Sequence, residues 1–162
     1  MQTVGSGHIY ACGDAADSCG LLLTPVARLE ADAVIENILH KNCKKIHYPA
    51  IPSAVFTSPK LAQIGISSKE AAERPDLYQI NKIDTTKWYT YRRTNEPTAQ
   101  AKVILKKDTQ QIAGASFLSE EADVMVNYIA FMMKAGLKAS YLNDLLFAYT
   151  SPASDLSYMV KD

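Results

Sequence analysis

The chain has 162 residues, 48% of them apolar and 21% charged, which is enough to bury one ordinary globular core with a partial second unit attached. Its formal net charge is zero, so it offers no field that would draw nucleic acid or an anionic membrane surface. No apolar run approaches the length of a membrane span, and the start lacks the basic-then-apolar order of a signal peptide, so a cytoplasmic location is expected.

The first element is a short apolar strand, His8-Ile9-Tyr10-Ala11-Cys12, running into Gly13. Glycine lets the backbone turn tightly there, and Asp14 presents a carboxylate that can accept hydrogen bonds from sugar-like hydroxyls. An Asx turn or a helix cap is the plainer role for an aspartate so placed. Thr24 next reads as the cap of a helix with Pro25 as its first residue, so unpaired N–H groups and a positive dipole end face whatever lies beside Thr24 to Ala27. An electron-rich ring carbonyl would suit that place. The helix runs to about residue 41, with Val26, Ala27, Val34 and Ile38 recurring near helical spacing. Cys12, Cys19 and Cys43 are odd in number and include no tight pair, which argues against a disulfide scaffold. Cys12 reads as a small buried strand residue and Cys19 as more exposed. His40 and His47 flank Cys43 without ligand spacing, so no metal site is expected.

Residues 42 to 52 read as a connection, and Ala54 to Thr57 as a short strand stopped by Ser58-Pro59. Ser67 followed by Glu70 fits a capping box opening a brief helix that Pro75 ends. Tyr78 to Asp84 alternates as a strand. Ala101 to Lys106 and Ile112 to Leu118 should pair as an antiparallel hairpin at the centre of a sheet. Between the strand 78–84 and this hairpin, Thr85 to Thr98 carries Trp88, Tyr89, Tyr91, Arg92 and Arg93, and suits a strand edge or a subunit contact better than a nucleic-acid site. From Glu120 a helix with Val124, Tyr128, Ile129, Met132 and Met133 ends at Gly136. A further helix is expected over residues 141–147, with Leu142, Leu145, Leu146 and Phe147 continuing the apolar pattern, and a last one beginning near Ala153.

Three stretches, in this order, resemble one family. His8 to Ala16 with Leu23 to Ala27 is similar to the second flavin-contacting segment of the pyridine nucleotide-disulfide oxidoreductases, the family of glutathione reductase, dihydrolipoamide dehydrogenase and mercuric reductase. Pro52 to Gly65 resembles that family's entry into its carboxy-terminal dimerisation domain, and Gln111 to Ala115 a central strand of it. The resemblance implies an α+β unit, a mostly antiparallel sheet with helices packed on one face (residues 48–162), preceded by a remnant of a Rossmann-type FAD-binding domain (residues 1–47). It implies FAD as cofactor and NAD(P)H as co-substrate of a longer parent enzyme. The parent would act in redox homeostasis on a small-molecule substrate, as a homodimer clasped by the apolar faces of helices 120–135 and 141–147. Gly13, Asp14, Thr24, Pro25, Val26 and Ala27 would hold flavin, with Asp14 on the ribityl chain and the helix start stabilising negative charge on the reduced ring.

The closing segment Ala148 to Leu156 departs from that family's pattern. Where the family carries a histidine and, at a fixed interval, a glutamate, alignment on Leu156 places Tyr149 and Ser154, with Asp155 one position later. Tyrosine, with an unperturbed pKa of about 10, donates a proton but is a poor base near neutrality, which puts ordinary thiol and disulfide exchange in doubt. Coenzyme A disulfide reductases are similar in using tyrosines here. Tyr149 therefore reads either as a catalytic group or as a partly buried aromatic whose hydroxyl finds a backbone partner. Asp155 reads as orienting a hydroxyl or, more simply, as capping the final helix. No G-x-G-x-x-G turn and no close cysteine pair occur in the sequence, so the expectation is an inactive carboxy-terminal fragment of a reductase. The alternative is a free-standing dimerising interaction module without cofactor.

Overall fold

In the computed structural model, which describes residues 1–41 and 43–161, the chain divides into two compact units, Met1–Ile51 and Pro52–Asp162. Asn42, the first residue of the expected connection, lies outside the described residues. No helix among the described residues is long and apolar enough to cross a membrane.

The first unit holds one long helix, α1 (Thr24–Leu39). The expected strand into Gly13 is replaced by an isolated antiparallel bridge between Tyr10 and Gln2, and Ile9 stays half exposed, since the described residues of this unit form no sheet for it to join. A 3-10 turn, Gly13–Ala15, follows directly. The helix begins one residue earlier than its chemistry suggested. Leu23 is the N-cap and makes no side-chain capping bond, and Thr24 is already helical. The buried stripe of α1 is Val26, Glu30, Ala33 and Asn37, at the i, i+4, i+7, i+11 spacing of one helix face. Ile38, expected on that stripe, is exposed, together with Ile35 and Leu39. Polar residues hold the stripe in place, since the Asn37 side chain both donates to the Lys44 carbonyl and accepts from the Lys44 amide.

The second unit is an α+β fold. Five strands, β1 (Ser53–Val55), β2 (Lys60–Gly65), β3 (Tyr78–Asp84), β4 (Gln100–Lys106) and β5 (Ile112–Ser119), form one antiparallel sheet in the order β1-β2-β5-β4-β3. The β4–β5 hairpin expected from the sequence is central, while β2, which periodicity did not show, is its neighbour on the other side. Cross-strand pairs share a face. The pairs Ala62 with Phe117, Ile64 with Ala115, Val103 with Ala115 and Ala101 with Phe117 therefore make one continuous buried row.

Among the described residues, four α-helices complete this unit: α2 (Ser68–Ala72), α3 (Tyr89–Arg92), α4 (Ala122–Ala135) and α5 (Leu156–Met159). α2 opens with the capping box read from sequence, Ser67 accepting from the Glu70 amide and Glu70 accepting from the Ser67 amide. α4 packs on β2 and β5 through Met125, Val126, Ile129 and Met132, and ends at Gly136, whose φ of +66° is the left-handed cap. Two expectations are corrected here. Residues 85–98 do not form a strand edge; they carry the short helix α3, with Thr90 and Tyr91 buried. The helix expected over 141–147 is a 3-10 turn at Ala139–Asn143 followed by irregular chain, in which Leu142 is buried while Leu145 and Leu146 point outward. So short a helix needs a packed face to persist, and this stretch gives only Leu142 to the core.

Candidate functional site

The first unit brings most of the expected flavin-contacting residues together. Gly13 has a φ of +62°, which side chains rarely adopt, and a Cβ added there would lie 3.1 Å from the Cβ of Ala27, so the left-handed turn sits tightly against the first turn of α1. Asp14, next in the chain, is exposed, and its carboxylate has no partner among the described residues. It therefore forms neither the Asx turn nor the cap that were its plainer readings. Val26 and Ala27 offer less than expected, because both of their amides donate to the Leu23 carbonyl at 2.9 Å. Pro25 has no amide hydrogen, which leaves the Thr24 N–H as the open donor at this helix start.

Glu30, which the sequence reading passed over, is the residue that fixes this turn. Only 1% exposed, it accepts from the Gly13 amide, the Ser18 hydroxyl and the Tyr48 hydroxyl, each at 2.6 Å. The two hydroxyls, and then the Gly13 amide, outweigh desolvation and hold its carboxyl below the ordinary value of 4.5. A buried carboxylate with three donors is a stable arrangement. It ties residues 13–18 to α1 and so sets where Asp14 stands. Its helical position was legible in the sequence, but its partners, 12 to 18 residues away, were not. Cys12 is half-buried rather than buried, and Cys19 and Cys43 are exposed. Among the described residues no group of three His, Cys, Asp or Glu could hold a metal ion.

In the second unit, Tyr149 and Asp155 meet at one cleft of about 360 Å³, lined also by Trp88, Tyr89, Thr90 and Tyr158. Tyr149 is 76% exposed, stacks on Tyr89 with ring centroids 6.4 Å apart, and has no hydroxyl partner among the described residues. That corrects the expectation of a partly buried aromatic bonded to backbone. Asp155 precedes α5 but makes no capping bond to it. It is 8% exposed, its Oδ2 has no hydrogen-bond partner, and burial pushes its carboxyl above the ordinary value of 3.8 against a hydrogen bond from Thr90. Beneath it, burial and the charge of Asp155 raise the Tyr91 hydroxyl well above its usual range.

An α+β unit built on this antiparallel sheet defines the class. The chain belongs to the pyridine nucleotide-disulphide oxidoreductase family: residues 51–157 match that family's dimerisation domain. It is 42% identical over 160 residues to a Staphylococcus aureus protein described as an uncharacterised 19.7 kDa protein in a mercuric resistance operon, covering 99% of this chain and 89% of that one. It is 26% identical over 156 residues to the mercuric reductase of the same species, covering 96% of this chain but only 28% of the enzyme. Among solved structures, the HOCl-induced flavoprotein disulfide reductase RclA of Escherichia coli superposes with a TM-score of 0.80 at 26% identity, over 93% of this chain and 34% of RclA. The chain thus spans most of one short relative and about a third or less of these two reductases.

Proposed function

We propose that this chain is the carboxy-terminal part of an FAD-dependent NAD(P)H oxidoreductase, contributing flavin contacts from Gly13, Asp14 and the start of α1, and the homodimer interface from residues 48–162. The observation that carries the flavin reading is the exposed, unpartnered Asp14 held one residue after a left-handed glycine that α1 packs against. Flavin, when bound, would pass electrons between a nicotinamide and a small-molecule substrate. Asp14 would accept hydrogen bonds from its ribityl hydroxyls and the Thr24 amide would face its ring, with Val26 and Ala27 shaping the wall. Tyr149 would supply a hydrogen-bond donor from its exposed hydroxyl to the substrate side of the site, and Asp155 would act through the groups around it. The chain alone would not turn over, and its setting would be the cytoplasm.

The test is Asp14→Ala in a full-length reductase carrying this segment: flavin per protomer after gel filtration falls severalfold. Unchanged flavin content would refute the role. A second reading, a dimerising module that holds no cofactor, is favoured by the 19.7 kDa relative that this chain matches over 89% of its length. It predicts a colourless protein that dimerises and leaves added FAD fluorescence unchanged.

A further inference from the structure

The cleft of the second unit has a composition that the roles given above to Tyr149 and Asp155 leave largely unexplained. Four aromatic rings, Trp88, Tyr89, Tyr149 and Tyr158, line it with Thr90 and Asp155, and Asp155 is the one charged residue among these six. The rings hold fixed mutual orientations: Trp88 meets Tyr158 edge to face at 6.1 Å, and Tyr89 and Tyr149 lie nearly parallel. Ring faces carry negative quadrupole potential and attract cations. The molecule already shows this at one of them, where the Lys161 ammonium sits 4.7 Å from the centroid of Tyr158. Asp155 adds a carboxyl to the lining, 8% exposed and with no countercharge among the six residues.

We propose that this cleft is a binding site for a small organic cation, a primary ammonium or amidinium group on an apolar body, flanked by the aromatic rings and neutralised by Asp155. The apolar body is needed because most of the lining is ring surface. An ammonium or amidinium suits this wall because the ring faces and the single carboxyl both favour positive charge. Burial without a countercharge is what holds the Asp155 carboxyl above its ordinary value, and a cation in the cleft removes that penalty. All six residues belong to the second unit, so the site stands whether or not the first unit holds flavin.

Trp88 is the only tryptophan of the chain, so its fluorescence reports on the cleft directly. The whole chain is titrated with benzylammonium, with its neutral counterpart benzyl alcohol, and with benzoate, exciting at a wavelength that these probes do not absorb. Saturable change with benzylammonium at a Kd at least tenfold below that of benzyl alcohol, and no saturation with benzoate, is the expected result. Asp155→Asn should abolish the preference for the cation while the far-ultraviolet circular dichroism is kept. Equal affinity for the charged and neutral probes, tighter binding of benzoate, or no saturable response overturns the proposal on the unmodified protein alone, even if the variant does not fold. Loss of flavin in Asp14→Ala would leave these titrations unaltered, which separates the two readings.

Discussion

Glu30 shows how one side chain sets the geometry of the turn that carries Asp14. Its three donors need the two oxygens of a carboxylate, and a carboxamide offers one acceptor oxygen in place of two. Glu30→Gln should therefore leave at least one of the Gly13, Ser18 and Tyr48 donors unsatisfied, at a cost of about 1–3 kcal/mol, read as faster hydrogen exchange at the Gly13 amide. The pH dependence has a definite sign. The folded carboxyl titrates below its ordinary 4.5, so its contribution is fully present above about pH 4.5 and is lost as pH falls through the lower folded value. Protection of the Gly13 amide should drop on acidification in that window, and Glu30→Gln should flatten the profile. An unchanged profile in the variant would show that some other group controls the turn.

The elements differ in how far the local sequence determines them. β2 pairs with β5 so that Gly65 lies opposite Gly114, and a Cβ added at Gly114 would fall 2.3 Å from the Ile66 carbonyl oxygen. Backbone cannot yield there as a side chain could. Gly114→Ala should cost about 1–3 kcal/mol or more, measured as a lowered denaturation midpoint with unchanged m-value. By contrast, Ser67→Ala removes only one side of the α2 capping box and should cost about 1 kcal/mol. The capping box, β3 and the hairpin were legible because Ser67 with Glu70, the alternation of 78–84 and the turn after Lys106 are chemistry between near neighbours. β2 was not, since its buried face is only Ala62 and Ile64 and its identity comes from pairing with a strand about fifty residues later. The aromatic cleft escaped for the same reason: α3 places Trp88 and Tyr89 beside Tyr149, some sixty positions on, and no short window contains both.

At the scale of the whole molecule, the question is what covers the outer side of α4. Its buried positions Met125, Ile129 and Met132 are shadowed one residue back by Val124, Tyr128 and Phe131, which are 44%, 37% and 75% exposed. That spacing repeats the helix period, so these three make a second apolar stripe, and Phe147 extends it by meeting Tyr128 edge to face at 6.2 Å. A stripe of this kind on a domain of a dimerising family fits a twofold partner, whose identical stripe would lie against it. Under twofold symmetry a single substitution acts twice. Burying a phenylalanine side chain is worth about 1.5–3 kcal/mol, so Phe131→Glu should remove at least about 3 kcal/mol from association, more than a hundredfold in Kd, and add paired negative charges across the axis. Sedimentation velocity across a concentration series should show dimer for the unmodified chain and monomer for Phe131→Glu, with the circular dichroism of both alike because Phe131 contributes little to the core. An unmodified chain that stays monomeric at high concentration would refute the pairing, and a Phe131→Glu variant that dimerises as strongly would place the interface elsewhere and leave this stripe without a role in assembly.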